Sequence, residues 1–268
     1  MDGSAAIERN REALKRILAG LVAMAGLASG AGSAGHPTTL PRFLYLAVLR
    51  LLRPAEAAAR RLAIALARGL VVALPSRRAG KPSRSDAVLA VVTMHAGVRS
   101  RLVWKPGARF PSVTPLPPRV LPERLAFPLL DPLQRPFRPR RRHVPAHLAP
   151  RIWTPGVTEP RPLPPPPSRY DPVDARRLGL RLAALGRALD DLPAQALRFA
   201  RWKARRDRAR QLGGNFRLWP LRGGRPPGGR LSRFDPDARR RANVREVDEV
   251  LAHAHALAFY ALQYPDTS

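Results

Sequence analysis

The sequence predicts a mostly α-helical protein with a long proline-rich middle. Apolar residues recur at helical spacing in both terminal regions, which is the primary signal of amphipathic helices. About two-thirds of the 31 prolines lie in the stretch from Pro106 to Pro172, where regular structure is disfavoured. We expect N-terminal hydrophobic and amphipathic basic helices over 1–75, a basic Pro-rich linker over 76–170, and a C-terminal helical interaction module over 171–268.

The charge of the chain limits its partners. Its 268 residues include 48 Lys and Arg against 19 Asp and Glu, which gives a formal net charge of +29. The positive electrostatic field of such a chain favours an anionic partner, which could be nucleic acid, lipid headgroups or an acidic protein. Codon bias of a GC-rich gene contributes to the arginine count, but the scarcity of acidic residues is independent of that bias. Because the chain has no cysteine, disulfides, thiolate zinc sites and cysteine nucleophiles are excluded.

The stretch from Ile17 to Gly35 contains no charged residue and follows a charged segment over residues 1–16. About 19 residues are just enough to cross roughly 30 Å of hydrocarbon. Three interpretations stay open. A transmembrane anchor fits the uncharged length, a signal peptide fits the basic start and the small residues near Ser29–Ala34, and a buried Ala-rich helix fits the many small residues.

The next region, 40–75, is amphipathic and basic. Pro54, followed by Ala and Glu, suits the first turn of a second helix, so we expect a pair of helices. Arginines interrupt the apolar residues too often for a clean membrane span. A helix pair lying on an anionic membrane surface is our first interpretation, and a helical hairpin packed on a neighbour is the alternative. The predicted anion-binding residues are Arg50, Arg53, Arg60, Arg61 and Arg68.

The middle of the chain contains one β-hairpin signal. Two β-branched runs, Ala87 to Met94 and Val98 to Trp104, are separated by a short turn. Two strands alone are not stable in water, so the predicted hairpin needs a partner surface. From Pro106 to Pro172 we expect an extended or disordered linker.

The C-terminal region predicts two helices with apolar seams. Asp171-Pro172 and Asp235-Pro236 are helix-start signals, and Pro193 should break the first helix, with Asp190-Asp191 capping the helical segment after the break. Each predicted helix has one apolar seam, and that of the second helix runs from Val244 to Ala261. Matching seams predict mutual packing or self-association. The first seam consists of Leu178, Leu182, Leu185 and Leu189.

A second set of basic residues suggests nucleic-acid binding. Ala194–Leu212 is strongly basic, and the glycine-rich loop Gly213–Arg230 interleaves aromatic residues with arginines. Arginines can neutralise phosphates while aromatic rings stack on bases, which gives salt-sensitive binding without sequence preference. The alternative is a solvated basic helix followed by a flexible loop. The candidate residues are Arg201, Lys203, Arg205, Arg206, Trp219 and Arg222.

Other motifs carry little functional information. Gly30–Gly35 matches the dinucleotide-binding spacing, but no strand precedes it and prolines follow it. His253 and His255 are two apart and so point about 200° away from each other on a helix, which prevents joint chelation of a metal. The pattern in Arg161–Pro167 suits SH3-like grooves, although chance matches are common in such a segment. We expect no catalytic site, no cofactor and no metal site.

Three stretches carry a resemblance: ERNREALKRILAGLVAMAGL, LRLLRPAEAAARRL and RLGLRLAALGRALDDLPAQALRFARW. They resemble uncharacterised Arg- and Pro-rich proteins of GC-rich bacteria, which implies structured ends and no particular activity. Together these observations predict a non-enzymatic adaptor or scaffold protein associated with the bacterial inner membrane. The alternative is a cytoplasmic protein that binds nucleic acid without sequence specificity.

Overall fold

The computed structural model describes residues 3–26, 39–74, 122–132, 167–213, 219–229 and 244–264, together with three strands between 87 and 115. The predicted mostly helical fold is confirmed. Two compact units are present, one formed by Met1–Val72 and Ala126–Ser268, the other by Ala73–Leu125. The first and last predicted segments thus share one unit. Its helices are α1 (Gly3–Met24), α2 (Arg42–Leu66), α3 (Arg176–Asp190), α4 (Leu192–Gln211) and α5 (Glu246–Gln263).

Helix α2 is the centre of this unit and contacts each of the other four helices. Every residue from 54 to 64 is buried, which requires neighbours on all sides of the helix. Alanines at 55, 57, 58, 59 and 63 allow the surrounding helices to approach closely. Three charged side chains of this buried segment, Glu56, Arg60 and Arg61, are buried as well. Those charges are therefore part of the core.

The predicted pair of helices over 40–75 is a single helix, because α2 continues through Pro54. A proline inside a helix cannot donate to the carbonyl four residues before it. Here that carbonyl belongs to Arg50, and it accepts a hydrogen bond of 3.1 Å from Nη1 of Arg245. A residue distant in sequence supplies the missing donor, which a local pattern could not reveal.

Helix α1 contains the beginning of the uncharged stretch. Leu14, Leu21 and Ala25 are buried in the same core as α2, while residues 27–35 lie outside the described residues. Among the described residues, no helix combines the length and apolar content needed to cross a membrane. The predicted transmembrane helix is thus not found in the described part of the chain.

The C-terminal seams pack within the chain. Helix α3 buries its four seam leucines against the core, and α5 buries Val247, Leu251, Ala254 and Ala258. The predicted break at Pro193 is confirmed, since Asp191 separates α3 from α4 and its carboxylate accepts from the amide of Ala194 at 3.0 Å. The start predicted at Asp171-Pro172 is wrong: Pro172–Asp174 is a strand, and Asp174 accepts from the amide of Arg176 at 2.9 Å. Asp235-Pro236 lies outside the described residues.

Short strands complete the fold. In the helical unit, β1 (Thr39–Pro41) pairs antiparallel with β5 (Pro172–Asp174). In the smaller unit, β2 (Ala87–Thr93) and β3 (Arg99–Trp104) form the predicted hairpin, and β4 (Ser112–Pro115) adds a third antiparallel strand. β4 falls within the predicted linker and supplies the partner that two strands need.

A second part of the predicted linker is ordered against the helices. In the segment 126–132, the side chains of Phe127 and Asp131 are buried. Phe127 joins the hydrophobic core, and Asp131 meets the arginines of α2. The linker prediction is therefore wrong for this segment, because its proline content concealed two side chains that anchor it.

Candidate nucleic-acid interface

The second half of α4 is a basic helix whose residues are exposed or half-buried. We call residues 201–211 the basic arm. None of them is buried, whereas the first half of α4 buries Leu192, Ala196, Phe199 and Ala200. The arm contains a single acidic residue, Asp207, whose carboxylate pairs with Arg206. Its six cations are Arg201, Lys203, Arg205, Arg206, Arg208 and Arg210.

The composition of the arm favours a helix, although Trp202 is its one apolar side chain in a hydrophobic cluster. Ala, Arg, Lys and Gln are among the strongest helix formers. The cap at Asp191 satisfies an orphan amide of the first turn. Arg208 and Arg210 occupy the last turn, where positive charge complements the helix dipole. Four of its cations, Arg201, Arg205, Arg208 and Arg210, are exposed, and Lys203 and Arg206 are half-buried.

Aromatic side chains lie at the start of the arm. The guanidinium of Arg206 stacks over the ring of Trp202, with its central carbon 5.4 Å from the ring centroid. Trp202 in turn packs beside Phe199, their ring centroids also 5.4 Å apart. Buried Leu221 belongs to the same hydrophobic cluster as Phe199 and Trp202. The loop that carries the predicted residues Trp219 and Arg222 is thus held next to the start of the arm.

Trp219 and Arg222 differ in how far they are exposed to solvent. Trp219 is 43% exposed. Arg222 is half-buried, and its backbone N–H donates to Oδ2 of Asp131 at 3.1 Å. The amide of Asp131 donates to the carbonyl of Pro220 at 3.1 Å. Asp131 therefore fixes the loop, and Leu221 of the same loop packs in one cluster with Phe199 and Trp202.

The predicted anion-binding residues Arg60 and Arg61 lie in the interior instead of on a surface. Nε of Arg60 is 3.0 Å from Oδ1 of Asp131, and Nη2 of Arg61 is 2.7 Å from Oδ2. Arg61 also donates from Nε to Nδ1 of His255 at 3.0 Å and from Nη1 to the carbonyl of Ala57 at 2.8 Å. The prediction is wrong for these two arginines, because no local pattern indicates that a buried carboxylate lies opposite them.

Burial and charge set the protonation of this buried cluster. Burial lowers the pKa of Arg60 below its usual value, although the negative charges of Asp131 and Glu56 oppose that effect. Burial also disfavours the ionised form of Asp131. The hydrogen bonds and positive charges of Arg61 and Arg60 outweigh it, so the pKa of Asp131 is below its usual value. Asp131 is therefore an anion at neutral pH.

The other three predicted anion-binding residues are closer to solvent. Arg50 and Arg53 are exposed on the first half of α2. Arg68 follows α2, and its guanidinium lies 4.7 Å from the centroid of the Tyr260 ring. The five arginines therefore do not form one surface. Arg60 and Arg61 are buried in the core, Arg68 stacks on Tyr260 of α5, and the remaining two are exposed on α2.

Several important residues were missed from the sequence. Glu56 of α2 forms a largely buried ion pair with Arg181 of α3, with Nη2 and Oε2 2.8 Å apart. Asp131 had no distinguishing signal within a proline-rich stretch. His253 of α5 connects two helices, since its Nδ1 lies 3.0 Å from Nδ2 of Asn10 in α1. Among the described residues, no group of three His, Asp or Glu side chains could hold a metal ion.

The leucine seam of α3 is not an outer surface. All four seam leucines are buried by helices of the same chain. The neighbouring helix α1 contacts this region directly, since Nε of Arg11 donates to the carbonyl of Leu189 at 2.5 Å. Self-association through this seam would require opening the core. The four leucines therefore form a helix-packing seam within the chain, and self-association through the C-terminal helices stays a prediction.

No protein-family model, no curated protein and no solved structure matches this sequence. A functional assignment therefore depends on the side chains of this chain alone.

Proposed function

We propose that the protein is a non-enzymatic nucleic-acid-binding protein that grips phosphates with the basic arm. The observation that carries the proposal is the half-helix 201–211, which has six cations, one acidic residue and no buried side chain. The predicted membrane adaptor has weaker support from the same fold, because Arg60 and Arg61 are in the core.

The geometry of the arm suits a phosphate backbone. Arg201 and Arg205 are both exposed and lie four residues apart, so they share one face of the helix. Arginine presents a planar set of donors that matches phosphate oxygens. Trp219, which is 43% exposed, adds an aromatic side chain of the kind on which unpaired bases stack. The proposal is therefore sequence-tolerant binding with a preference for single strands.

The test is fluorescence anisotropy of labelled oligonucleotides with the nuclease-treated full chain over a range of salt concentrations. We expect affinity to fall steeply with salt. For the double variant Arg201→Gln/Arg205→Gln, the log–log salt slope should decrease by about 0.7–0.9 for each lost phosphate contact. Trp219→Ala should weaken binding of single strands by about 1–3 kcal/mol and affect duplexes less.

A matched control removes the same charge elsewhere. Arg176 and Arg177 are exposed on α3, so Arg176→Gln/Arg177→Gln has the same net charge as the arm variant. This control should keep most of the affinity. The proposal fails if the wild type shows no salt-dependent binding, or if the control loses as much affinity as the arm variant.

A further inference from the structure

A second exposed surface lies at the N-terminal end of α2 and combines apolar and cationic side chains. Phe43 and Leu46 are each 42% exposed, and Tyr170 is 65% exposed. The rings of Phe43 and Tyr170 meet edge to face, with centroids 5.8 Å apart. Phe43 and Leu46 are three residues apart and so are neighbours on the helix. The three side chains form one apolar patch that faces outward.

Cations border this patch. Arg50 and Arg53 are exposed and lie seven and ten residues beyond Phe43, which places them on the same side of α2. The guanidinium of Arg169 lies 5.5 Å from the centroid of the Phe43 ring and 4.9 Å from that of Tyr170. We call Phe43, Leu46, Arg50, Arg53, Arg169 and Tyr170 the α2 face.

Within α2 and residues 167–171, few acidic side chains oppose these cations. The single acidic residue of α2 is Glu56, which is buried and paired with Arg181. Asp171 follows Tyr170 and is half-buried, and its backbone carbonyl accepts from the amide of Arg42 at 2.9 Å. The α2 face is therefore a net positive surface with an apolar centre.

We infer that the α2 face docks on an anionic lipid membrane. Apolar side chains on an interfacial helix enter the boundary between headgroups and acyl chains, while arginines on the same face reach lipid phosphates. A nucleic acid suits this face less well. Leu46 offers no ring for stacking, and Arg169 already lies over the rings of both Phe43 and Tyr170.

This inference is independent of the proposed nucleic-acid binding. Ile64, near the C-terminal end of α2, belongs to the same hydrophobic cluster as Phe199, which precedes the basic arm. Phe43 and Ile64 are 21 residues apart in one helix, or about 30 Å along its axis. The apolar patch at Phe43 and the start of the arm thus lie at opposite ends of α2, while Arg53 lies near its middle, and separate variants can test the two surfaces.

The experiment is flotation of the nuclease-treated full chain with phosphatidylcholine vesicles, with and without phosphatidylglycerol. We expect binding to the anionic vesicles only. The double variant Arg50→Gln/Arg53→Gln should bind them about tenfold more weakly or worse. The control Arg176→Gln/Arg177→Gln, which has the same net charge, should bind like the wild type. The melting temperature of each variant establishes that it is folded.

A site-specific probe tests insertion of the apolar patch. Because the chain has no cysteine, Leu46→Cys can carry one environment-sensitive fluorophore, and Ala183→Cys on the exposed side of α3 is the control. Anionic vesicles should shift the emission of the first probe to the blue and leave the second unchanged. The inference is overturned if neither probe shifts, if both α2 arginines are dispensable, or if only Arg201→Gln/Arg205→Gln abolishes vesicle binding.

Discussion

Arg245 donates a hydrogen bond from its guanidinium to the backbone carbonyl of Arg50, and the two residues are 195 positions apart in the chain. This carbonyl is the one that Pro54 leaves without a helical donor. The same guanidinium forms an ion pair with Asp248 in the first turn of α5, at 2.6 Å. Arg245 therefore stabilises the proline-containing turn of α2 and connects that turn to α5.

The role of Arg245 predicts coupling with Pro54. Arg245→Ala should lower the free energy of unfolding by about 1.5–3 kcal/mol, since it removes charge-assisted hydrogen bonds. In a Pro54→Ala background the loss should be smaller, because a backbone N–H at position 54 can donate to the carbonyl of Arg50. Urea denaturation of the two single variants and the double variant measures the coupling. Equal losses in both backgrounds would contradict it.

The buried carboxylate of Asp131 is predicted to be essential for stability. Asp131→Asn leaves Arg60 and Arg61 buried with no compensating negative charge between them, which should cost about 3–5 kcal/mol. Thermal or urea denaturation gives the value. The exposed carboxylate of Glu123 provides the control, and Glu123→Gln should change stability by less than about 0.5 kcal/mol. A similar small effect at Asp131 would refute the prediction.

The depressed pKa of Asp131 predicts loss of stability in acid. A carboxyl group with a lowered folded-state pKa stabilises the fold fully above its unfolded value, near 3.8, and loses this contribution as the pH falls through the folded value. The melting temperature of the wild type should therefore fall more steeply below about pH 4 than that of Asp131→Asn. Melting curves at a series of pH values test this, and parallel curves would rule it out.

Close packing of the glycine loop predicts a strong effect at Gly228. This residue has φ of +76°, and an added Cβ would lie 2.7 Å from the Cβ of Arg53 and from Cδ of Pro54. Gly228→Ala should cost about 1–2 kcal/mol for the left-handed backbone, plus ~1–3 kcal/mol for the overlap with α2.

Gly224 is a matched control for this prediction. Its φ is +74°, but an added Cβ would meet no atom within 4 Å. Gly224→Ala should therefore show the backbone cost alone. Denaturation of both variants separates strain from packing, and equal destabilisation would show that the contact with α2 is unimportant.

The sequence predicted the elements whose signals are local. The seam leucines of α3 follow helical periodicity, and Asp191 and Pro193 mark the start of α4 with a cap and a first-turn proline. The hairpin strands β2 and β3 coincide with β-branched runs. The basic character of the arm is equally visible, because it is a property of composition. Each of these features depends on residues within a few positions of one another.

Tertiary structure decided which charges are buried and which are exposed. Arg50 and Arg60 belong to the same helix and have similar sequence surroundings, yet Arg50 faces outward and Arg60 meets Asp131. The continuity of α2 through Pro54 depends on a donor from Arg245. Both outcomes come from contacts between residues 71 to 195 positions apart. By itself the sequence determined a basic, mostly helical chain. Only the packing of distant segments could decide which arginines are buried and which are exposed. The reason is that the energy of a buried charge depends on the partners that folding brings to it.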